Sequence, residues 1–258
     1  MTRSTLGPVL ALLALLAMLP VAFAAVMADP GAPAPPAPRS PDEDAFSVPL
    51  ASFATTLIGS TPARTANLRL AVAALDGNVI APGEELSFNA VVGNRTVERG
   101  YQEAPVILRE TRQVQTGGGI CQVATNLFVA GLLAGLTPVE RHRHSSPVDY
   151  VATGEDATIA WGAKDLKLRN DWPQAVRLRV EIVGRTLTAR FEAAEPTGER
   201  FELEREEREL PAASGDGTPG REIELFRVRH TAEGSLQREF VLRDVYPPSR
   251  PTPGREAR

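Results

Sequence analysis

Apolar positions along this chain change period several times, and each change marks an element. Thr61-Pro62 opens a helix, with a hydroxyl at the cap and proline at the first helical position. Leu68, Ala71, Val72 and Leu75 recur at helical spacing until Asp76-Gly77 stops the run. Val79-Ile80 ahead of Ala81-Pro82-Gly83-Glu84 predicts a short strand and turn, and Leu86-Ser87-Phe88-Asn89 into Val91-Val92-Gly93 predicts another. Tyr101 to Leu108 predicts a strand with Pro105 near its edge. From Cys121 to Leu136 apolar residues run nearly all round a helix, including Val123, Leu127, Phe128, Leu132 and Leu133. Such a helix is buried on every side.

Val139 to Tyr150 predicts extended chain, and Ala157 to Trp161 a short strand. Ala175–Val183 and Thr186–Phe191, on either side of Gly184-Arg185, predict a hairpin. Glu202 to Glu209 is strongly charged and predicts a solvated face, and Pro211 to Gly220 a turn-rich linker. Ile223–Val228 and Leu236–Leu242 predict a second hairpin, ending at Tyr246-Pro247-Pro248. The fold class expected is α+β: two main helices packed on mostly antiparallel strands, in a single compact domain with a small C-terminal hairpin.

The ends predict how the chain is organised. Arg3, an apolar run from Val9 to Leu19, and Ala22-Phe23-Ala24 make residues 1–28 a signal peptide or N-terminal anchor. Residues 29–49 are a Pro/Ala-rich linker, stiff and extended. The domain then occupies 50–194, a β-hairpin extension 195–248 and a disordered tail 249–258. Export to the extracytoplasmic envelope follows, with membrane contact only through a possible N-terminal anchor. The net charge is −4 and no basic run occurs, which argues against a nucleic-acid partner.

Cys121 is the only cysteine, and it follows Gly117-Gly118-Gly119-Ile120 at the start of the buried helix. In an oxidising compartment a lone cysteine has no intramolecular disulfide partner. The positive end of a helix favours thiolate, and glycines leave room for a substrate backbone and aim N–H groups into that space. A lone thiol can equally be a small packed hydrophobe. The glycine run is what points to a nucleophile. Thr125 falls one turn further on the same face and could line a site there.

His142 and His144 lie in Glu140-Arg141-His142-Arg143-His144. In extended chain the period of two puts Glu140, His142 and His144 on one face, where they supply a base for Cys121 and a group to orient it. Asp156 and Asp165 are the other candidates to orient the base. A polar surface strand is the alternative reading. His230, in a charged hairpin, is expected on the surface. Cys121, His142 and His144 are acceptable zinc ligands, but neither C-x-x-C nor H-E-x-x-H occurs, so no metal and no cofactor is expected.

The text from about Thr56 to Phe191 resembles the VanW family. The resemblance is carried by Pro82-Gly83-Glu84, Ser87-Phe88-Asn89, Gly100-Tyr101 and Ala104-Pro105-Val106-Ile107. It continues through Gly117-Gly118-Gly119-Ile120-Cys121-Gln122-Val123, Val139-Glu140-Arg141-His142, Tyr150-Val151, Asp156-Ala157-Thr158 and Trp161-Gly162. It implies bacterial envelope work, with peptidoglycan stem peptides as partner and L,D-transpeptidase-like cross-linking through the family cysteine. Carried over, Cys121, His142 and His144 are the catalytic candidates. Main-chain N–H groups of Gly118, Gly119 and Gln122 are the oxyanion candidates. Arg95, Arg141 and Arg143 are candidates to bind stem carboxylates. A cysteine endopeptidase using the same site, or a non-catalytic peptidoglycan-binding or antibiotic-response module, are the rival expectations. The better-known cysteine transpeptidases place histidine before cysteine; here the order is reversed.

Overall fold

The computed structural model describes residues 45–108, 111–212 and 218–248. Its elements run β1 (Val48–Thr56), α1 (Pro62–Leu75), β2 (Val79–Ile80), β3 (Glu85–Ser87), α2 (Phe88–Val92), β4 (Glu103–Leu108), β5 (Thr111–Thr116) and α3 (Cys121–Leu133). There follow β6 (Thr137–Glu140), β7 (Lys167–Arg169), β8 (Val176–Val183), β9 (Thr186–Ala193), β10 (Arg200–Leu210), β11 (Gly220–His230) and β12 (Leu236–Tyr246). The strands form four antiparallel sheets: β1-β9-β8-β2, β3-β7-β6, β10-β11-β12 and the hairpin β4-β5. Among the described residues no helix is long and apolar enough to cross a membrane. The proposed leader (1–28) and tail (249–258), and most of the proposed linker, lie outside the described residues.

The core forms where α1 and α3 meet the four-stranded sheet. Leu68, Ala71 and Leu75 of α1 and Val123, Leu127 and Phe128 of α3 are buried with Leu178, Val180, Leu187 and Phe191 of β8 and β9. Helix α1 starts as the cap chemistry predicts: the Thr61 hydroxyl accepts the Arg64 N–H at 3.2 Å, and Pro62 takes the first helical position. Helix α3 also packs on β1, β6 and β10, so its polar residues must find partners inside. Asn126 does so by donating Nδ2 to Leu187 O at 2.8 Å and Phe53 O at 3.3 Å, while its Oδ1 accepts the Thr55 hydroxyl at 2.8 Å. One helical side chain thus ties β1 to β9.

The expectation of two main helices packed on strands is overturned: among the described residues strand outweighs helix by 42% to 19%, and the helices are three. Four segments depart from the pattern read along the chain. β1 begins inside the expected linker, at Val48, because its pairing with β9 rather than its own composition makes it a strand. The predicted strand through Phe88-Asn89 is helix α2, which starts because the Ser87 hydroxyl accepts the Ala90 N–H at 3.0 Å. The chain is extended only to Glu140 of the predicted Val139–Tyr150 segment, and the following residues are irregular. The charged run expected as a solvated face is exposed, as expected, but it is also strand β10, so the small hairpin is a three-stranded sheet. Its Glu and Arg side chains are matched across strands, as in Arg208–Glu222 at 2.6 Å and Arg238–Glu204 at 2.9 Å. Cross-strand ion pairs stand there in place of apolar alternation.

Asn126→Ala should cost about 3 kcal/mol, because it takes the amide donor from carbonyls of two strands and leaves the buried Thr55 hydroxyl without its acceptor. Urea unfolding of the variant against the unaltered chain measures it, and a loss under 1 kcal/mol (about the worth of one ordinary hydrogen bond) contradicts the stitching role.

Candidate active site

Helix α3 starts at Cys121 out of a glycine turn that tolerates no side chains. A Cβ on Gly118 would sit 2.3 Å from the Ala104 carbonyl oxygen, a backbone atom that cannot swing aside. Gly119 has φ +105°, and a Cβ there would meet the Arg64 side chain at 2.7 Å. Two glycines are therefore demanded by close backbone approach and by a left-handed conformation. Three N–H groups of this turn are already donated: Gly117 to Gln102 O, Gly118 to Gln115 O and Gln122 to Gly119 O. The expected oxyanion role of the Gly118 and Gln122 N–H groups is thereby removed. The N–H groups of Gly119 and of Cys121 itself make no backbone hydrogen bond among the described residues.

The thiol is partly buried at this helix end. Its sulfur lies 3.4 Å from Thr158 Oγ1 and 3.8 Å from Ile159 O. His144 stands beside it, and His144 Nδ1 is 2.6 Å from Asp156 Oδ2. The same carboxylate oxygen accepts the His144 main-chain N–H at 2.7 Å, so ring and backbone are held together. Asp156 is itself held by α3: the Thr125 hydroxyl accepts the Ala157 N–H at 2.9 Å and donates to Ala157 O at 3.2 Å. Cysteine, imidazole and carboxylate are thus brought together.

The electrostatics favour an ion pair. Burial pushes the Cys121 thiol up, but His144, Thr158 and a backbone hydrogen bond from Ile159 more than offset it, leaving a pKa of about 7. Burial pushes His144 down, while Asp156 and the thiolate pull it up to about 9. Burial also raises Asp156, yet its bonds to His144 and the Arg141 charge hold it below the usual carboxylate range. Between about 7 and 9 the pair stands as thiolate and imidazolium.

The other proposed residues divide. His142 is turned outward, 37% exposed, and hydrogen-bonds Glu140 Oε1 at 3.0 Å. Glu140 also binds Lys167 Nζ at 2.9 Å and accepts the Asp165 N–H, so it serves His142 and not His144. The shared-face expectation fails because β6 ends at Glu140 and the strand period lapses before either histidine. The same placement leaves the zinc set of Cys121, His142 and His144 ungathered. Asp165 accepts from Ser87 Oγ at 2.5 Å and from the Asn89 and Leu166 N–H groups, holding the start of α2. Arg141 is buried and fully engaged with Asp156 and Asp244, out of reach of a substrate carboxylate. Arg143 donates to His144 O at 2.6 Å and lies over the Tyr246 ring. Arg95 packs on the glycine turn near Cys121, with Nη1 donated to Asn89 Oδ1 at 2.7 Å. The Gln122 side chain is buried, bonded to Arg64, Thr55 Oγ1 and Thr56 O. His230 lies in the C-terminal sheet, 3.5 Å from Glu202.

Sequence patterns did not single out Thr158, Tyr150, Arg64, Asp244 or Tyr246 as part of the site. Burial pushes the Tyr150 phenol far up, with the Cys121 charge adding to it, so Tyr150 is a neutral phenol in the field of the thiol, hydrogen-bonded with Thr125. Irregular chain carries both Tyr150 and Thr158, and no period could have flagged them. An open cavity of about 450 Å³, lined by Asn89, Glu140, Trp161 and Lys164, begins two residues beyond Ile159.

Residues 63–192 match the family described as VanW like protein. The chain is 40% identical over 135 residues to the uncharacterized protein YoaR of Bacillus subtilis (strain 168), covering 52% of this chain and 45% of that one. It is 36% identical over 110 residues to the vancomycin B-type resistance protein VanW of Enterococcus faecalis (strain ATCC 700802 / V583), covering 41% of this chain and 40% of that one. The chain therefore spans less than half the length of these curated relatives. No solved structure matches it.

Alkylation of Cys121 by iodoacetamide should rise with pH through a midpoint of about 7. Asp156→Asn removes the anion that raises His144, so the imidazolium is lost earlier and the thiol midpoint moves back toward 9.0, its unperturbed value. A midpoint near 9.0 in the unaltered chain, or one that Asp156→Asn leaves in place, contradicts the coupling.

Proposed function

The chain belongs to the VanW-like family, and from that premise we propose that it is an exported cell-envelope protein whose Cys121 transfers acyl groups on peptidoglycan stem peptides. The observation that carries the reading is the grouping of Cys121, His144 and Asp156 at the start of a buried helix. The Enterococcus faecalis relative is named for vancomycin resistance, which fits a role at the cell wall.

In this reading the Cys121 thiolate attacks a carbonyl of a tetrapeptide stem. A C–S bond forms, the carbonyl electrons move to oxygen, and the tetrahedral species collapses with cleavage of the C–N bond. His144 gives its proton to the departing amine. The neutral His144 then takes a proton from the amine of a second stem as that nitrogen attacks the thioester. The new C–N bond forms, the C–S bond breaks, and thiolate and imidazolium are restored. Asp156 keeps the ring oriented and stabilises its cationic form. The Cys121 N–H and the Tyr150 hydroxyl are the donors assigned to the oxyanion, a contribution of about 3–4 kcal/mol per donor in comparable sites. Arg64 and Arg95, which flank the glycine turn, take the carboxylate-binding role in place of Arg141.

Incubation of the purified protein with disaccharide-tetrapeptide should add one acyl group to its mass. Cys121→Ala should add none, and His144→Ala should acylate on the order of a hundredfold more slowly. A cross-linked dimer as product marks transfer; release of shortened stem alone marks the endopeptidase. An unchanged mass in the unaltered chain, together with equal cross-linking in cells making it or Cys121→Ala, rejects the catalytic reading.

A further inference from the structure

The C-terminal sheet lies beyond residue 192, where the match to the family stops, yet it reaches the innermost group of the site. An ionised carboxylate offers about four lone-pair sites on two oxygens. In Asp156 they are divided cleanly. Oδ2 accepts the His144 N–H at 2.7 Å and Nδ1 at 2.6 Å. Oδ1 accepts Arg141 Nη2 at 3.1 Å and the Tyr246 hydroxyl at 3.3 Å. Arg141 is oriented in turn by Asp244, whose oxygens take Nη1 at 2.8 and 2.6 Å, while Arg141 Nε donates to Asp156 O at 2.6 Å. Asp156, Asp244 and Tyr246 are all under 9% exposed, so water does not substitute for these bonds.

We propose that Asp244 and Tyr246 of β12 are positioning residues that fix the Asp156 carboxylate for His144, making the C-terminal sheet part of the active site. The inference rests on reading Cys121 as the reacting thiol. Docking of the sheet on the domain does not explain the arrangement, because other contacts secure it. Arg227 Nη1 donates to Leu136 O at 2.8 Å, Trp172 packs edge-on against Phe201, and Ile223 closes on Gly154. Two of those contacts involve no charge, and Arg227 is paired with the more exposed Glu239. A buried arginine shared by two buried carboxylates is a costly way to attach a sheet and a specific way to hold one oxygen still.

The charged and titratable groups around His144 are Cys121 of α3, Arg141 and Arg143 beside it in sequence, Tyr150 and Asp156 of the following segment, and Asp244 and Tyr246 of β12. Two conservative variants perturb this set with opposite sign. Asp244→Asn removes an anion and leaves Arg141 to Asp156 alone, so the imidazolium is less favoured. Tyr246→Phe removes a donor from Asp156 Oδ1, so more of the carboxylate charge falls on His144 and the imidazolium is more favoured.

The test is the His144 titration by NMR in the full chain, with assignment from His142→Gln and His230→Gln. Asp244→Asn should lower the His144 midpoint by roughly half a pH unit or more, and Tyr246→Phe should raise it. Glu204→Gln, which breaks an exposed ion pair with Arg238 on the same sheet, should leave it unchanged. If Asp244→Asn does not fold, Tyr246→Phe decides alone, since it deletes one oxygen. A folded variant of either kind whose midpoint stays put, or a pair that moves in the same direction, overturns the proposal. The titration needs no substrate. Opposed shifts without any acyl-enzyme in the unaltered chain would therefore leave the positioning intact while removing the acyl-transfer reading.

Discussion

The carboxylate of Asp156 holds the site together. It is 1% exposed and stays charged because one oxygen meets His144 twice and the other meets a guanidinium and a phenol. Removing one member of such a buried set typically costs about 3–5 kcal/mol, since the remaining charge is left without water or partner. That asymmetry explains why elements far apart in the chain converge here. Residue 141 comes from just after β6, 156 from a loop, and 244 and 246 from the last strand. Their common address fixes the imidazole, and the imidazole sets the state of the thiol.

Helix α3 supplies the other half of the geometry. Its first residue is the thiol, in the field of the helix N-terminus, where an anion is favoured by up to about 1 kcal/mol or somewhat more in a partly buried setting. Its buried polar residues bind different neighbours. Gln122 holds β1, Thr125 pins the loop that carries Asp156, and Asn126 joins β1 to β9. None of these is free to drift, because each is buried with its hydrogen bonds made inside the protein. A thiol at the head of so constrained a helix meets His144 in one geometry.

Much of the site was legible along the chain, and the parts that were not share a cause. Cys121 stood out through the glycine turn, and the need for glycine there is steric: Ala104 O leaves no room for a Cβ at position 118. Two histidines were candidates for its partner, and spacing along the chain could not choose between them. The strand period that placed both on one face requires continued pairing, and β6 ends at Glu140. Once pairing stops, side-chain direction is set residue by residue, so His144 turns to Asp156 and His142 to Glu140. Arg141 read as a surface cation available to substrate for the same reason, and its burial became visible only with β12 in place.

Residue order alone was enough for what is local: the caps of α1, the buried character of α3, the glycine turn before the thiol, the hairpin of β8 and β9, and a single cysteine. These follow from backbone sterics and from periodic burial, which act over a few residues. Whatever depends on distant partners waited for the folded chain. Pairing with β9 made a strand of Val48–Thr56, and arginines across β11 and β12 made a sheet of a charged run. Folding also chose Asp156 over Glu140 as the partner of the imidazole. A carboxylate's role is set by which charges share its burial, and burial is a property of the assembled chain.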